Sequence, residues 1–333
     1  MIELDKIYNE DCLSTLARMD DNSIDCVVTS PPYYGLRKYS DSELEIGREE
    51  TPSEYIDNLV KVFTEVYRVL KPTGTVWVNI GDTYNGNKVG NTNEKWSATN
   101  TDDFEKKKWS GCKNKDLIGV PWMFAFALRD RCGFYLRNDI IWYRPNAMPE
   151  SVTDRLAKCY EHIFLFTKSE KYYFDYEAIQ EKTSYNENRK YAIERESGYN
   201  TKQNRNPDAY LKDGKNLHKS GQTVQGMHAN RANGGTDKQY EFKRKKDLWI
   251  VNTQPSQVEH CAMYPEKLIY PCILAGCPEG GIVYDPFIGS GTTALATIHC
   301  LGNRHYIGSE LSAEYSAIAE KRANETNSQL TLF

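Results

Sequence analysis

Apolar and polar positions along this chain follow two rhythms, one of short buried runs and one of helical stripes. Ile24 to Thr29 is apolar at nearly every position, the pattern of a strand covered on both faces. Pro52 to Leu70 instead spaces Ile56, Leu59, Val60, Phe63, Val66 and Leu70 as one stripe of a helix. Thr51 and Glu54 make a capping box ahead of it, Pro52 occupies its first turn, and Lys71-Pro72-Thr73-Gly74 stops it.

The same reading predicts strands over Thr75 to Ile80, Tyr135 to Trp142 and His162 to Thr167, the last two as a hairpin with a long connection. Leu117 to Arg131 reads as a helix ended by Gly133, and another helix begins near Pro265. Then follow a strand over Gly281 to Tyr284, a helix over Thr292 to Cys300, a strand over His305 to Ile307 and a helix over Ser312 to Arg322. Strands alternating with helices predict an α/β fold with a mainly parallel, doubly wound sheet. Asp82 to Lys115 is a long polar connection, either a mobile flap near a substrate or simple disorder.

Composition narrows the class. A chain of 333 residues, 39% of them hydrophobic, is long enough for one large domain with an insertion or for two domains. No run of 18 apolar residues occurs, and the opening Met1-Ile2-Glu3-Leu4-Asp5-Lys6 lacks the apolar segment of a signal peptide, so no membrane partner and a cytoplasmic location are expected. The nine cysteines include no C-x-x-C pair and the six histidines no close cluster, so no metal is expected.

The formal charge of −4 conceals a segregation. Glu181 to Lys246 holds 15 Lys or Arg against 8 Asp or Glu, a local +7 that leaves −11 for the rest. The stretch is rich in Asn, Gln, Gly and Ser and ends in Lys243-Arg244-Lys245-Lys246. Such a surface can follow phosphates and bond to base edges, and the alternative is a solvated insertion.

Two short runs carry the chemistry: Thr29-Ser30-Pro31-Pro32-Tyr33, and Asp285-Pro286-Phe287-Ile288-Gly289-Ser290-Gly291-Thr292-Thr293. Each follows a strand-like stretch, where a doubly wound sheet places its ligands. Gly289 and Gly291 let backbone approach a ligand, but the spacing is not G-x-G-x-x-G and no phosphate-binding Lys is present, which favours an uncharged or cationic nucleotide-like cofactor. Glu310, 19 residues after Gly291 and at the end of the next strand, can accept from ribose hydroxyls. The proline pair fixes its backbone beside an aromatic ring, an arrangement suited to holding a planar base.

The glycine run resembles the S-adenosylmethionine motif of DNA amino-methyltransferases, and T-S-P-P-Y resembles their catalytic motif. With the catalytic motif first, the order is similar to the permuted β group of that family. The resemblance extends to Asn9-Glu10-Asp11-Cys12-Leu13, Leu70 to Gly74, Ile140 to Asn146 and His260 to Leu268, leaving only the basic insertion without a counterpart. It implies a permuted class I S-adenosylmethionine-dependent methyltransferase fold with a seven-stranded sheet. The catalytic part would span 1–180, an inserted DNA-recognition region 181–246 and the cofactor-binding part 247–333.

The resemblance also implies roles. Asp11 would bond the cofactor's adenine with Cys12 beside it, while Asp285, Phe287, Gly289, Gly291, Thr292 and Thr293 would surround its methionine and sugar. Glu310 would hold the ribose, and Tyr264 and Pro265 would close the methionine end. A target amino group paired inside a duplex is unreachable, so the base must be flipped out. Tyr33 would stack on it, the Ser30 hydroxyl and Pro31 carbonyl would accept hydrogen bonds from its amino group, and Pro32 would stiffen the turn. Lys243, Arg244, Lys245 and Lys246 would meet the phosphates of double-stranded DNA.

Ser at position 30 resembles enzymes making N4-methylcytosine, whereas Asp is usual in N6-adenine enzymes. Cytosine N4 is thus favoured, with adenine N6, an inactive DNA-binding module and methylation of RNA or protein as the other readings. C5 methylation would need a cysteine nucleophile, and Pro271-Cys272 lies in a predicted helix away from the strand ends. A restriction endonuclease acting on the same site is one candidate partner that no residue here announces, and the family includes dimers.

Overall fold

A computed structural model of the chain describes residues 2–35, 42, 44–86, 109–182, 242–254, 263–300 and 302–330. The middle of the polar connection (87–108), most of the expected recognition region (183–241) and residues 255–262 lie outside them. The chain divides into two compact units, one of residues 1–179 with 245–333 and one of residues 180–244.

In the larger unit, eight strands among the described residues form one sheet. In chain order they are β1 (Lys6–Tyr8), β2 (Ile24–Thr29), β3 (Leu70–Ile80), β4 (Tyr135–Tyr143), β5 (Tyr160–Thr167), β8 (Leu248–Ile250), β9 (Ile282–Asp285) and β10 (His305–Ser309). Their order across the sheet is β1-β10-β9-β2-β3-β5-β4-β8. From β1 to β3 neighbours run parallel, and β5 is antiparallel to both β3 and β4. The smaller unit contributes a two-stranded ribbon, β6 (Glu181–Lys182) with β7 (Phe242–Lys243).

The eighth strand extends the seven expected. Leu248-Trp249-Ile250 pairs parallel with β4, and its centre is fixed by the buried Trp249, whose indole donates to the Lys246 carbonyl at 2.8 Å. Leu248 and Ile250 remain exposed, so only one of its three side chains reports a buried face.

Six helices among the described residues cover the sheet: α1 (Cys12–Ala17), α2 (Pro52–Val69), α3 (Val120–Arg131), α4 (Glu266–Gly276), α5 (Thr292–His299) and α6 (Ala313–Leu330). Alternate strand residues face opposite ways. Val27, Val76 and Val78 join the core shared with α1, α2 and α3, whereas Cys26, Val28 and Trp77 join the core shared with α4 and α5. A strand buried on both faces must be apolar throughout, which is why β2 reads as a continuous run. The α2 capping box has both reciprocal bonds, Glu54 N to Thr51 Oγ1 at 3.2 Å and Thr51 N to Glu54 Oε2 at 3.0 Å.

Strand β3 starts at Leu70, five residues ahead of the expected Thr75. Lys71 to Gly74 do end α2, but they bulge within the strand, because Ile24 pairs with Leu70 and Cys26 already with Thr75. At the start of α3 no side chain of the helix caps it. Asp82, just past β3, instead accepts from Gly119 N and Val120 N at 3.0 Å each.

Candidate active site

The carboxyl ends of β2, β3, β9 and β10 open onto a cavity of about 690 Å³. Because β5 runs the other way, its amino end arrives at the same edge and brings Glu161 with it. The wall includes Ser30, Pro31, Pro32 and Tyr33 from the turn after β2, and Asp11 and Cys12 from the start of α1. Phe287, Gly289, Thr292, Glu310 and Tyr264 line it from the late half of the chain. Asp285, Gly291, Thr293 and Pro265 are not among the lining residues, and the first three stand behind the wall as its support.

Asp285 is 1% exposed and its carboxylate collects four donors. Oδ1 accepts from Thr29 Oγ1 at 2.5 Å and Phe287 N at 3.0 Å, while Oδ2 accepts from Thr293 Oγ1 at 2.5 Å and Tyr264 OH at 3.2 Å. The Thr29 bond joins residues 256 apart in sequence, one ahead of each chemical turn. Burial pushes the Asp285 carboxyl up to about 6, against the four hydrogen bonds that pull it down. Burial also raises Tyr264, whose hydroxyl lies 2.6 Å from Thr293 Oγ1.

Gly289 and Gly291 hold φ of 56° and 89°, the left-handed region that favours glycine. A Cβ on Gly291 would stand 2.9 Å from Ala319 Cβ on α6, so this glycine allows close packing of the turn on a helix. A Cβ on Gly289 would meet nothing nearer than the Phe287 carbonyl at 4.0 Å, and Gly289 lines the cavity, so its missing side chain leaves room there. Gly289 N donates to Glu310 Oε2 at 2.9 Å and Ser312 N to Oε1 at 2.8 Å. Burial raises the Glu310 carboxyl, opposed by those two amides.

Asp11 caps α1 through Leu13 N at 3.0 Å while facing the cavity. These features fit an adenosine-type ligand: a roomy glycine turn, a carboxylate fixed by backbone amides at a strand end, and a second carboxylate across the cavity.

The turn after β2 is held from several sides. Tyr55 OH on α2 donates to the Pro32 carbonyl at 2.8 Å. Tyr33 OH donates its one proton toward Glu161 Oε2 at 2.5 Å and stands 3.0 Å from Asn79 Oδ1, and Arg144 pairs with Glu161 Oε1 at 2.9 Å. Lys158 also lines the cavity, with Nζ donating to the Asp82 carbonyl at 2.6 Å, and burial lowers its ammonium. Asn79, Arg144, Lys158 and Glu161 carried no role in the sequence reading. Arg144 lay in the Ile140 to Asn146 segment of the resemblance, and Glu161 just ahead of the apolar run of β5, but neither position announced a role.

Cys272 is 1% exposed on α4, does not line the cavity, and has its thiol pushed up by burial. The four basic residues do not line the cavity either. Lys243 and Arg244 fall in the smaller unit, where Lys243 lies 3.7 Å from Glu181, and Lys245 and Lys246 fall in the larger one. Among the described residues, no group of His, Cys, Asp or Glu could hold a metal ion, and no helix is long and apolar enough to cross a membrane.

Comparison with known proteins gives the site its context. The chain is 38% identical over 317 residues to the type II methyltransferase M.Cfr9I of Citrobacter freundii, covering 95% of this chain and 86% of that one. It is 38% identical over 326 residues to M.XycI of Xanthomonas campestris pv. cyanopsidis, covering 97% and 89%. Among solved structures, the PvuII DNA methyltransferase (cytosine-N4-specific) has the same fold, with a TM-score of 0.59 at 18% identity over 99% of this chain and 93% of that one. The Thermus thermophilus protein TTHA0409, complexed with S-adenosyl-L-methionine, matches at a TM-score of 0.53 and 19% identity over 96% and 93%. The fold is that of class I S-adenosylmethionine-dependent methyltransferases, and S-adenosylmethionine is the cofactor. The DNA methylase model for N6 and N4 amino-methyltransferases matches residues 24–321, and the chain belongs to that family of DNA methylases.

Proposed function

We propose that the enzyme methylates the exocyclic N4 amino group of a cytosine turned out of duplex DNA, at a specific sequence. The observation that carries this reading is that the S-P-P-Y turn and the glycine turn open onto one cavity, tied together behind its wall by the Thr29 to Asp285 bond. A cytosine amino nitrogen is a poor nucleophile because its lone pair is delocalised into the ring. The Ser30 hydroxyl and the Pro31 carbonyl accept hydrogen bonds from its N–H groups, which concentrates electron density on nitrogen. Tyr33 stacks on the base, a contact worth about 1 to 3 kcal/mol.

Bound S-adenosylmethionine supplies the electrophilic methyl group. Glu310 and Asp11 hold its adenosine part, Gly289 and Phe287 pack beside it, and Tyr264 and Thr292 close the wall. Asp285, Thr293 and Gly291 set the shape of the turn from behind, and Pro265 leads into α4.

Ser30 supports cytosine over adenine N6, because a neutral hydroxyl replaces the carboxylate usual in adenine enzymes. The cytosine-N4 specificity in the name of the PvuII structure agrees, although 18% identity carries the fold alone. Lys243, Arg244, Lys245 and Lys246 contribute phosphate contacts, and a cytoplasmic enzyme paired with an endonuclease of the same specificity follows the type II relatives. Base-resolved sequencing of DNA from cells expressing the protein, with Tyr33→Ala as control, tests the reading. N4-methylcytosine at one recurring sequence is expected. N6-methyladenine there would replace the base assignment, and no modified base above the control would refute the activity.

A further inference from the structure

We infer that Asn79, Gly81 and Glu161 form a seat that locks the Tyr33 ring in place before a base arrives, which makes them positioning residues for base capture. This rests on the proposed role of Tyr33 as the stacking platform. The seat is built by topology: Asn79 and Gly81 stand at the carboxyl end of β3, and Glu161 at the amino end of the reversed β5. Tyr33 leaves β2, crosses the end of β3, and reaches the carboxylate that β5 delivers.

Every atom of the seat is committed. Tyr33 OH is bound by Glu161 Oε2 at 2.5 Å and Asn79 Oδ1 at 3.0 Å. The Asn79 amide nitrogen donates to the same Glu161 oxygen and to the His162 carbonyl, both at 3.2 Å, so the amide cannot turn away. Glu161 Oε1 is held by Arg144 at 2.9 Å. With both oxygens occupied, the carboxylate is fixed in the orientation that holds the ring. Asn79 and Glu161 are 4% and 9% exposed, and a carboxylate so buried needs partners of this kind.

The ring itself leans on Gly81, where a Cβ would stand 2.7 Å from Tyr33 Cε2. A ring tethered at its hydroxyl and braced along one edge has little freedom left about χ1. That freedom is given up during folding instead of at each encounter with DNA, which is the physical content of preorganisation. The hydroxyl of Tyr33 thereby has a function that phenylalanine could not serve.

The experiment is a double-mutant cycle on Tyr33→Phe and Glu161→Gln. Tritium transfer from labelled S-adenosylmethionine to unmethylated mixed-sequence duplex DNA gives kcat, and equilibrium binding gives the cofactor Kd. Loss of a charge-assisted hydrogen bond should lower kcat about 10-fold or more in each single variant with cofactor Kd unchanged. The double variant should be no slower than the worse single one, because with Phe at 33 the carboxylate no longer holds the ring. Losses that multiply overturn the seat, as does a Tyr33→Phe enzyme with the parent's kcat. The latter outcome decides alone should Glu161→Gln fail to fold, since Tyr33→Phe leaves the Arg144 pair intact. Tyr33→Ala separates the two ideas: full activity there refutes the stacking role, whereas an inactive Tyr33→Ala beside multiplying losses refutes the seat only.

Discussion

Replacing Asp285 by asparagine should remove a pH dependence of stability that the native fold carries. Burial holds the Asp285 carboxyl at about 6 in the folded protein, against 3.8 for the unfolded chain. The difference of about two units corresponds to about 3 kcal/mol at 1.36 kcal/mol per unit. The folded state therefore binds the extra proton between those values. Its stabilising contribution is complete below about pH 4 and is lost as pH rises through 6.

The substituted amide would be neutral throughout. Its oxygen can still accept from Thr29 and Phe287, and its nitrogen can donate to Thr293 Oγ1 in place of the bond accepted by Oδ2. Urea unfolding of parent and variant from pH 4 to pH 8 measures the effect. Glu310 is raised chiefly by burial in both proteins, and the part of its rise due to the Asp285 charge disappears with the substitution, which adds to the difference in the same direction. With m of about 3 kcal/mol/M, the gap between the two midpoints should change by about 1 M across the range, in the variant's favour as pH rises. Parallel midpoints from pH 4 to pH 8 would refute a penalty of burial at Asp285.

Three further outcomes follow from the site. Tyr33→Ala should lower turnover about 5- to 150-fold, the range that matches 1 to 3 kcal/mol of stacking, and calorimetry should find S-adenosylmethionine affinity unaltered. Gly291→Val combines a φ of 89° with a Cβ 2.9 Å from Ala319, so cofactor binding should disappear and the melting temperature should fall; retained affinity would contradict the packing role of this glycine. Alanine at Lys243, Arg244, Lys245 and Lys246 together should reduce the slope of log K for DNA against log salt by about 0.9 for each phosphate no longer neutralised, and an unchanged slope would remove these residues from the interface.

The elements that the sequence announced are those with a single periodicity. Ile24 to Thr29 is buried throughout and reads so, and the stripe and cap of α2 reproduce its limits to within a residue. β1 and α1 escaped notice because three and six residues are too few to show a period, and Asp11 was reached only through a family resemblance. The start of β3 was hidden by Lys71-Pro72-Thr73-Gly74, whose turn chemistry is real but expressed as a bulge. In the site, the two chemical turns were legible because their residue types are specific to their backbone. Asn79 and Glu161 were not, since they are 82 residues apart and meet only through the antiparallel register of β3 and β5.

The placement of β9 and β10 between β1 and β2 also bears on synthesis. As the chain leaves the ribosome, β1 has no sheet neighbour and β2 keeps one apolar edge open until residues 282 to 309 emerge. Such an edge invites wrong pairing during the wait, the usual reason for a nascent chain to be held by chaperones. Asp285 and Glu310, which shape and hold the glycine turn, arrive with those same strands. On the proposed reading a partly made chain lacks a place for the methyl donor, and activity toward DNA waits until the early strands have received their late partners.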